Sequence, residues 1–312
     1  MSSKSSAWLS HAALVATFLV WGYNNVPMKI GGSEWNPVAF NGFRFAGAAL
    51  LMWLYLAWYA KAKNTSLHMD MRDMLPLAGY ALINSVALEV TIAYALQFST
   101  VANAALLGRG MMPVWTGLFA LLMREMALSP RIWIGLPLAM FGSLLIVGGN
   151  GFGITEETLK GDVLLFLRSI VGAIYLIGMK GLLQKYPVPL LLAVEFTISG
   201  LVLLPFAFYT TSAADLAAVS WNGWFSLLFT SIVALCIGFL IHNWGLARLG
   251  AFKASVYGYL LPLTAALAGY LVLGETIRPL QALGAAAVLA AMYLIQRDRL
   301  AAGRPADTDK RM

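Results

Sequence analysis

Ten apolar runs of about twenty residues, divided by short polar punctuation, fill this chain and leave it little choice of solvent. They fall at about 7–28, 38–60, 74–98, 101–123 and 131–149, then at 162–183, 188–209, 222–247, 251–273 and 279–296. At 1.5 Å per residue each run reaches across roughly 30 Å of hydrocarbon. Only 11% of the residues are charged and 60% are apolar, against roughly 25% charged in a water-soluble domain. So little charge cannot cover a soluble surface, and lipid is the expected solvent. Backbone groups in lipid must bond within their own segment, so runs of this length predict helices. The expected fold is an all-α integral membrane protein of ten transmembrane helices.

Charge sets the orientation. Fifteen Lys and Arg residues, from Lys4, Lys61 and Lys63 through to Arg311, fall at one set of helix ends. Only Lys29, Lys160 and Arg278 fall at the other. The positive-inside bias places both termini in the cytoplasm, which requires an even number of spans. The net charge of +7 is thereby explained by topology, and no nucleic-acid partner is expected. The apolar run after Trp8 continues for about 20 residues without a small-residue cleavage site, so it reads as a retained first helix. Cys236, the single cysteine, reads as a small buried hydrophobe.

The chain repeats itself. Residues 104–146 resemble 253–295 at a spacing of about 149, pairing Pro113 with Pro262 and Gly135 with Gly284. Upstream, Met28-Lys29 matches Met179-Lys180 and Arg44 matches Glu195. Five helices per repeat is an odd number, so the second repeat enters the membrane from the opposite side, as in alternating-access carriers. The division is residues 1–149 as the first repeat, 150–161 as a periplasmic linker and 162–296 as the inverted second repeat. Residues 297–312 are expected to be a disordered cytoplasmic tail.

Trp21-Gly22 through Lys29, Pro37 and Arg44-Phe45 resemble the opening of EamA-type members of the drug/metabolite transporter superfamily. So do Leu246-Ala247-Arg248-Leu249-Gly250-Ala251, Ala254-Ser255-Val256, Pro262 and Leu273-Gly274-Glu275. Within that superfamily the chain is most similar to YddG-type amino-acid exporters. The resemblance implies a bacterial inner-membrane protein with a central cavity walled by helices 1–4 and 6–9, and outward movement of amino acids of broad type, aromatic ones included. Helices five and ten stand at the edge in such folds. Here both lack intramembrane charge and carry Gly135, Gly142, Gly284 and Ala291, small residues that allow close packing within the bundle or, in a homodimer, against a second subunit.

Charges in hydrocarbon cost roughly 2.5–3.5 kcal/mol each on insertion scales and need an explanation. Arg44, Glu89, Arg109 and Arg168, on four different spans, all lie roughly 9–14 Å below the outer ends. Glu195 and His242 lie at a comparable depth from the inner face. One reading is a polar chamber whose arginines attract a substrate carboxylate while Glu89 or Glu195 meets its ammonium. The other is that Glu89 ties helices together through an arginine and that Arg44 snorkels to the interface. Glu89, Glu195 and His242 are also the groups placed to exchange protons.

Further substrate-binding candidates are Tyr23 and Asn24 in the polar cluster of span one, Tyr80 and Asn84 on span three, Tyr175 on span six and Tyr257 on span nine. Aromatic rings can hold an ammonium by cation–π attraction. Trp8, Trp35, Trp53, Trp58, Trp133, Trp221 and Trp224 read as interfacial belt or lipid contact. Pro113 and Pro262, at matched interior places near Gly108, Gly110 and Gly258, read as hinges of two gates or as static kinks.

The leading function is amino-acid export by alternating access, with efflux of drugs or other small metabolites as the alternative. A channel is less favoured, because no charged rings or carbonyl-lined loops repeat. An enzyme is not expected: the three histidines are scattered, and no nucleophile–base pair, metal-binding spacing or ATP-binding loop occurs. No cofactor or metal is expected.

Overall fold

The computed structural model describes residues 3–64, 67–124, 129–148, 156–273 and 278–298. Among the described residues all regular structure is helical, and eight helices are long and apolar enough to cross a membrane. These are α2 (Pro37–Lys63), α3 (Met71–Phe98), α4 (Ala104–Leu122, entered through the turn Val101–Asn103) and α5 (Pro130–Gly148). They continue with α6 (Glu156–Leu183), α7 (Val188–Thr210), α8 (Trp221–Leu249) and α10 (Pro279–Gln296). Two further helical stretches complete the bundle: α1 (Ser3–Glu34) and α9 (251–273). A short helix, Ala213–Ala218, lies between α7 and α8.

The helices are apolar on every side because they meet protein on one face and lipid on the other. On α2, Phe45, Met52 and Leu56 are buried, whereas Leu50, Leu54 and Trp58 are more than 60% exposed. An outward face of that kind suits only an apolar solvent.

Connections are short and locally specified. The first helix runs past Pro27 to Glu34, six residues further than the apolar run suggests. Proline removes a single backbone donor there, and the flanking turns carry the helix through. Asn36 then caps α2, accepting from the Val38 and Ala39 amides at 2.9 and 3.4 Å, with Pro37 as the first helical residue. Between α8 and α9 the joint is a single residue, Gly250, at φ 81°, a backbone region that glycine enters without strain. Trp35 corrects an expectation. It is 4% exposed, tucked under Phe40, Phe43 and Trp224 rather than facing lipid, because the α1–α2 turn is too tight to swing it outward.

Helix pairs match across the two halves. α2 packs along α7 and α5 along α10, while α1 meets α8 and α9 as α6 meets α3 and α4. The α5–α10 seam is closed by glycine: a methyl at Gly142 would stand 2.7 Å from the Gly284 carbonyl oxygen, and one at Gly284 2.5 Å from the Gly142 oxygen. The small-residue face is thus filled within one chain. α4 and α9 cross at an equally close point, where a methyl at Gly258 would stand 2.6 Å from the Arg109 carbonyl oxygen.

Polar latches join the elements at both ends. Glu34 accepts from the Ser220 amide and hydroxyl at 2.9 and 2.8 Å. At the opposite end Asp73 accepts from Lys185 Nζ at 3.0 and 3.1 Å and from the Tyr186 hydroxyl at 2.7 Å. The hydrogen bond and negative charge of Asp73 hold the Lys185 ammonium above its usual range. The expected disordered tail lies largely outside the described residues, as do residues 150–155 of the expected linker and the Gly274-Glu275 pair; residues 156–161, expected as linker, already belong to α6.

Candidate functional site

Among the described residues three stretches are wound as π-helix, and all three border one crevice. Ile83–Val90 of α3, Ala104–Gly110 of α4 and Thr230–Gly238 of α8 are π-helical. The first and third sit about 148 residues apart, near the spacing of the repeat. A wider turn shifts backbone carbonyls off the α-helical ladder and presents them to side chains. Arg168 Nε donates to the Leu88 carbonyl at 2.7 Å, Asn41 Nδ2 to the Glu89 carbonyl at 3.2 Å, and Trp21 Nε1 to the Ala234 carbonyl at 3.0 Å.

The same winding turns Glu89 inward, where three arginines share its carboxylate. Oε2 accepts from Arg44 Nη2 at 3.3 Å, and Oε1 accepts from Arg109 Nη2 at 3.1 Å and Arg168 Nη2 at 3.5 Å. Arg44 also donates to Asn41 Oδ1 at 2.6 Å. Arg44 is fully buried and Arg168 is 1% exposed, so the snorkelling reading of Arg44 does not hold: its partner lies inward, on α3. Arg109 lies over the Trp21 ring, its guanidinium carbon 4.0 Å from the centroid, with Phe239 5.8 Å away.

Three cations against one anion leave two positive charges in a low-dielectric wall. Removing charge from water costs several kcal/mol per ion, and only good geometry returns it. Arg44 Nε and Arg168 Nη1 are buried with no partner among the described residues, so the arginines hold unused donors. The crevice is lined by Trp21, Asn24, Asn25, Met28, Arg44, Glu89, Arg109, Arg168, Ala234, Leu235 and Phe239, among others. About 400 Å³ of empty space, open solvent included, lies between its walls.

The structure thus gathers Asn24, Arg44, Glu89, Arg109 and Arg168 in one place. A second polar group forms nearer the other end, where Glu195 Oε1 accepts from Asn84 Nδ2 at 2.8 Å and the Tyr175 hydroxyl at 2.9 Å, with Tyr80 edge-on to Tyr175. His242 packs among Phe18, Trp21 and Phe239 between the two groups. Tyr257 hydrogen-bonds His11 and lies outside the crevice. Tyr23 is 38% exposed against Phe229, also outside it. Pro113 follows the π stretch of α4, and Pro262 follows a 3₁₀ turn, Tyr257–Tyr259, so each stands where the winding has already changed.

The polar cluster at residues 21–25 of span one is expected from sequence to face the bundle or a cavity, but Tyr23 and Asn24 are the residues singled out in it, and Asn41 and Phe239 are not anticipated. Trp21, Asn24, Asn25 and Met28 are spaced i, i+3, i+4, i+7 and share one face of α1, a face that excludes Tyr23. Asn41 lies one turn before Arg44, within reach of its guanidinium. Phe239 carried no signal, because an aromatic in an apolar run looks the same whether it faces lipid or a crevice.

A family model for the EamA-like transporter family matches residues 8–148 and again 159–297. The chain belongs to the EamA-like transporter family. Relatives match most of its length. An uncharacterized transporter of Archaeoglobus fulgidus is 27% identical over 299 residues, 94% of this chain and 98% of its own. A probable amino-acid metabolite efflux pump of Salmonella typhimurium is 24% identical over 286 residues, covering 88% and 91%. The uncharacterized inner membrane transporter YedA of Escherichia coli is 25% identical over 297 residues, covering 91% and 89%. One solved crystal structure superposes with a TM-score of 0.72 at 15% identity, covering 93% of this chain and 96% of that one, and so shares the fold. As an EamA-like protein the chain is a multi-pass membrane transporter, and its two matched stretches are two copies of one unit.

Proposed function

We propose that this EamA-like transporter exports amino acids across a bacterial inner membrane by alternating access. Its ten helical stretches are read as ten spans in two inverted five-helix halves, with both termini in the cytoplasm. Support for the inversion comes from the matched helix pairings, the two family matches and the Lys and Arg bias.

The observation that carries the substrate reading is the single carboxylate shared by three arginines, two of them buried, on the crevice wall. Glu89 stands where a substrate carboxylate would stand. An incoming carboxylate takes Arg109, the most accessible of the three with 17% of its side chain exposed, and the spare Arg168 Nη1 donor, while Glu89 keeps Arg44. Charge-assisted hydrogen bonds of this kind contribute about 1.5–3 kcal/mol each. Trp21 and Phe239, beside Arg109, offer apolar contact to the rest of the molecule. The name of the Salmonella relative points to the same substrate class.

Counterflow in proteoliposomes tests this. Vesicles preloaded with unlabelled amino acid should take up labelled amino acid transiently, and a panel of amino acids should compete. Competition by cationic drugs in place of amino acids would transfer the protein to the alternative, efflux of other small molecules.

A further inference from the structure

Glu89 and Glu195 are both buried in the bundle, and their surroundings are opposite. Glu89 is matched by three arginines. Glu195, fully buried on α7, receives hydrogen bonds among the described residues only from neutral donors: Asn84 on α3 and Tyr175 on α6, both to Oε1. Its second oxygen, Oε2, is buried with no partner among the described residues. A carboxylate in that setting would hold a negative charge on an oxygen with nothing to stabilise it. A proton on Oε2 removes the charge and leaves Oε1 as the acceptor its two neighbours need. Asp162, another buried acid, shows the contrast: both its oxygens accept, from Ser99 and from Asn103 Nδ2 at 3.1 Å.

The groups that face this site are few. From α2 the charged residue within the membrane is Arg44, which is committed to Glu89. α3 offers Asn84 and Tyr80, and α6 offers Tyr175, with Arg168 two turns before it and Lys180 beyond it. α8 offers His242 and Asn243. His242 Nδ1, both side-chain polar atoms of Asn243 and Asn84 Oδ1 are also buried without partners among the described residues. Buried polar atoms lacking a protein partner are where internal water sits. They string from Glu195 toward Trp21, against which His242 packs, and so toward the arginine crevice.

We propose that Glu195 is the proton-binding site of this transporter and that one proton moves inward for each amino acid moved outward. The proposal rests on the carrier reading above. A proton from the outer solution binds Glu195 Oε2, and the neutral carboxyl is carried across as the two halves move. On the other side the proton leaves to water, and the carboxylate then attracts the ammonium of an entering substrate, before that substrate passes on to the arginines about two helical turns away along α6. Proton and ammonium use the same carboxylate in turn, which makes the exchange obligatory.

Two measurements decide it. With the membrane potential clamped, a pH step of one unit across proteoliposomes should accumulate amino acid on the acidic side by about tenfold for one proton exchanged. The ratio of that accumulation to the ungraded control should fall to one in Glu195→Gln. Accumulation on the alkaline side, or none where counterflow is intact, overturns the exchange while leaving the carrier reading standing; absent counterflow overturns the carrier reading itself. Infrared difference spectra decide the site without any transport. The purified protein at neutral pH should show a protonated-carboxyl C=O stretch that shifts in Tyr175→Phe and vanishes in Glu195→Gln. A band missing from the wild type, or surviving in Glu195→Gln, overturns Glu195 as the proton site.

Discussion

At the level of single residues, Glu89 stands out because three arginines depend on its one carboxylate. Glu89→Gln leaves Arg44, Arg109 and Arg168 facing one another without an anion. Breaking a buried pair from one side costs about 3–5 kcal/mol, so a large fall in melting temperature in detergent is expected. Arg44→Met added to Glu89→Gln should recover part of that fall, because it removes one uncompensated charge; a double variant no more stable than the single one would show that Arg44 is not repelled there. Arg109→Lys asks a different question. Lysine keeps the charge but loses the planar fork and its stacking on Trp21, so stability should change little. Half-saturation in counterflow should rise by about tenfold or more, the equivalent of one charge-assisted hydrogen bond. That four charges on four spans share a depth was legible from their distances to the helix ends. Their meeting on one carboxylate was not, since equal depth says nothing about which face of a helix a side chain occupies.

Among the elements, the π-helical stretches and the glycine crossings do most to shape the site. π winding has no simple sequence signature, which is why Leu88, Glu89 and Ala234 carbonyls were not anticipated as acceptors. Glycine crossings are better specified, because only one residue type lets backbones meet. Gly284→Val should separate α10 from the Gly142 carbonyl and cost about 1–3 kcal/mol, as overpacking does. Gly47→Ala on α2, where nothing lies within 4 Å of the added carbon, should be neutral or stabilise by about 0.5–1 kcal/mol. Thermal unfolding followed by tryptophan fluorescence separates the two. Gly258→Ala should push α9 off the Arg109 carbonyl and misplace its guanidinium, lowering counterflow by about tenfold or more with a smaller effect on stability.

For the whole molecule, the decisive issue is which ends lie on the same side. On the proposed topology Lys61 and the chain after Gln296 lie together in the cytoplasm, as the charge bias predicts. Cysteines introduced at Lys61 and after Gln296 should react with an impermeant maleimide only from the inner face of the membrane. Native Cys236 is buried and should stay silent. Labelling of the two cysteines from opposite faces would remove the inverted halves, and the carrier reading with them.

Much of this architecture could be read in one dimension. Apolar length, charge bias and internal repetition depend on counts along the chain, because a bilayer imposes one thickness and one polarity on every segment that enters it. Trp35 escaped that reading, since a tight turn decided its surroundings. Tertiary structure alone decided that Glu89 is held by three arginines and Glu195 by neutral donors. The two carboxyls look alike in sequence, and which neighbours each one meets depends on how helices distant along the chain turn toward one another.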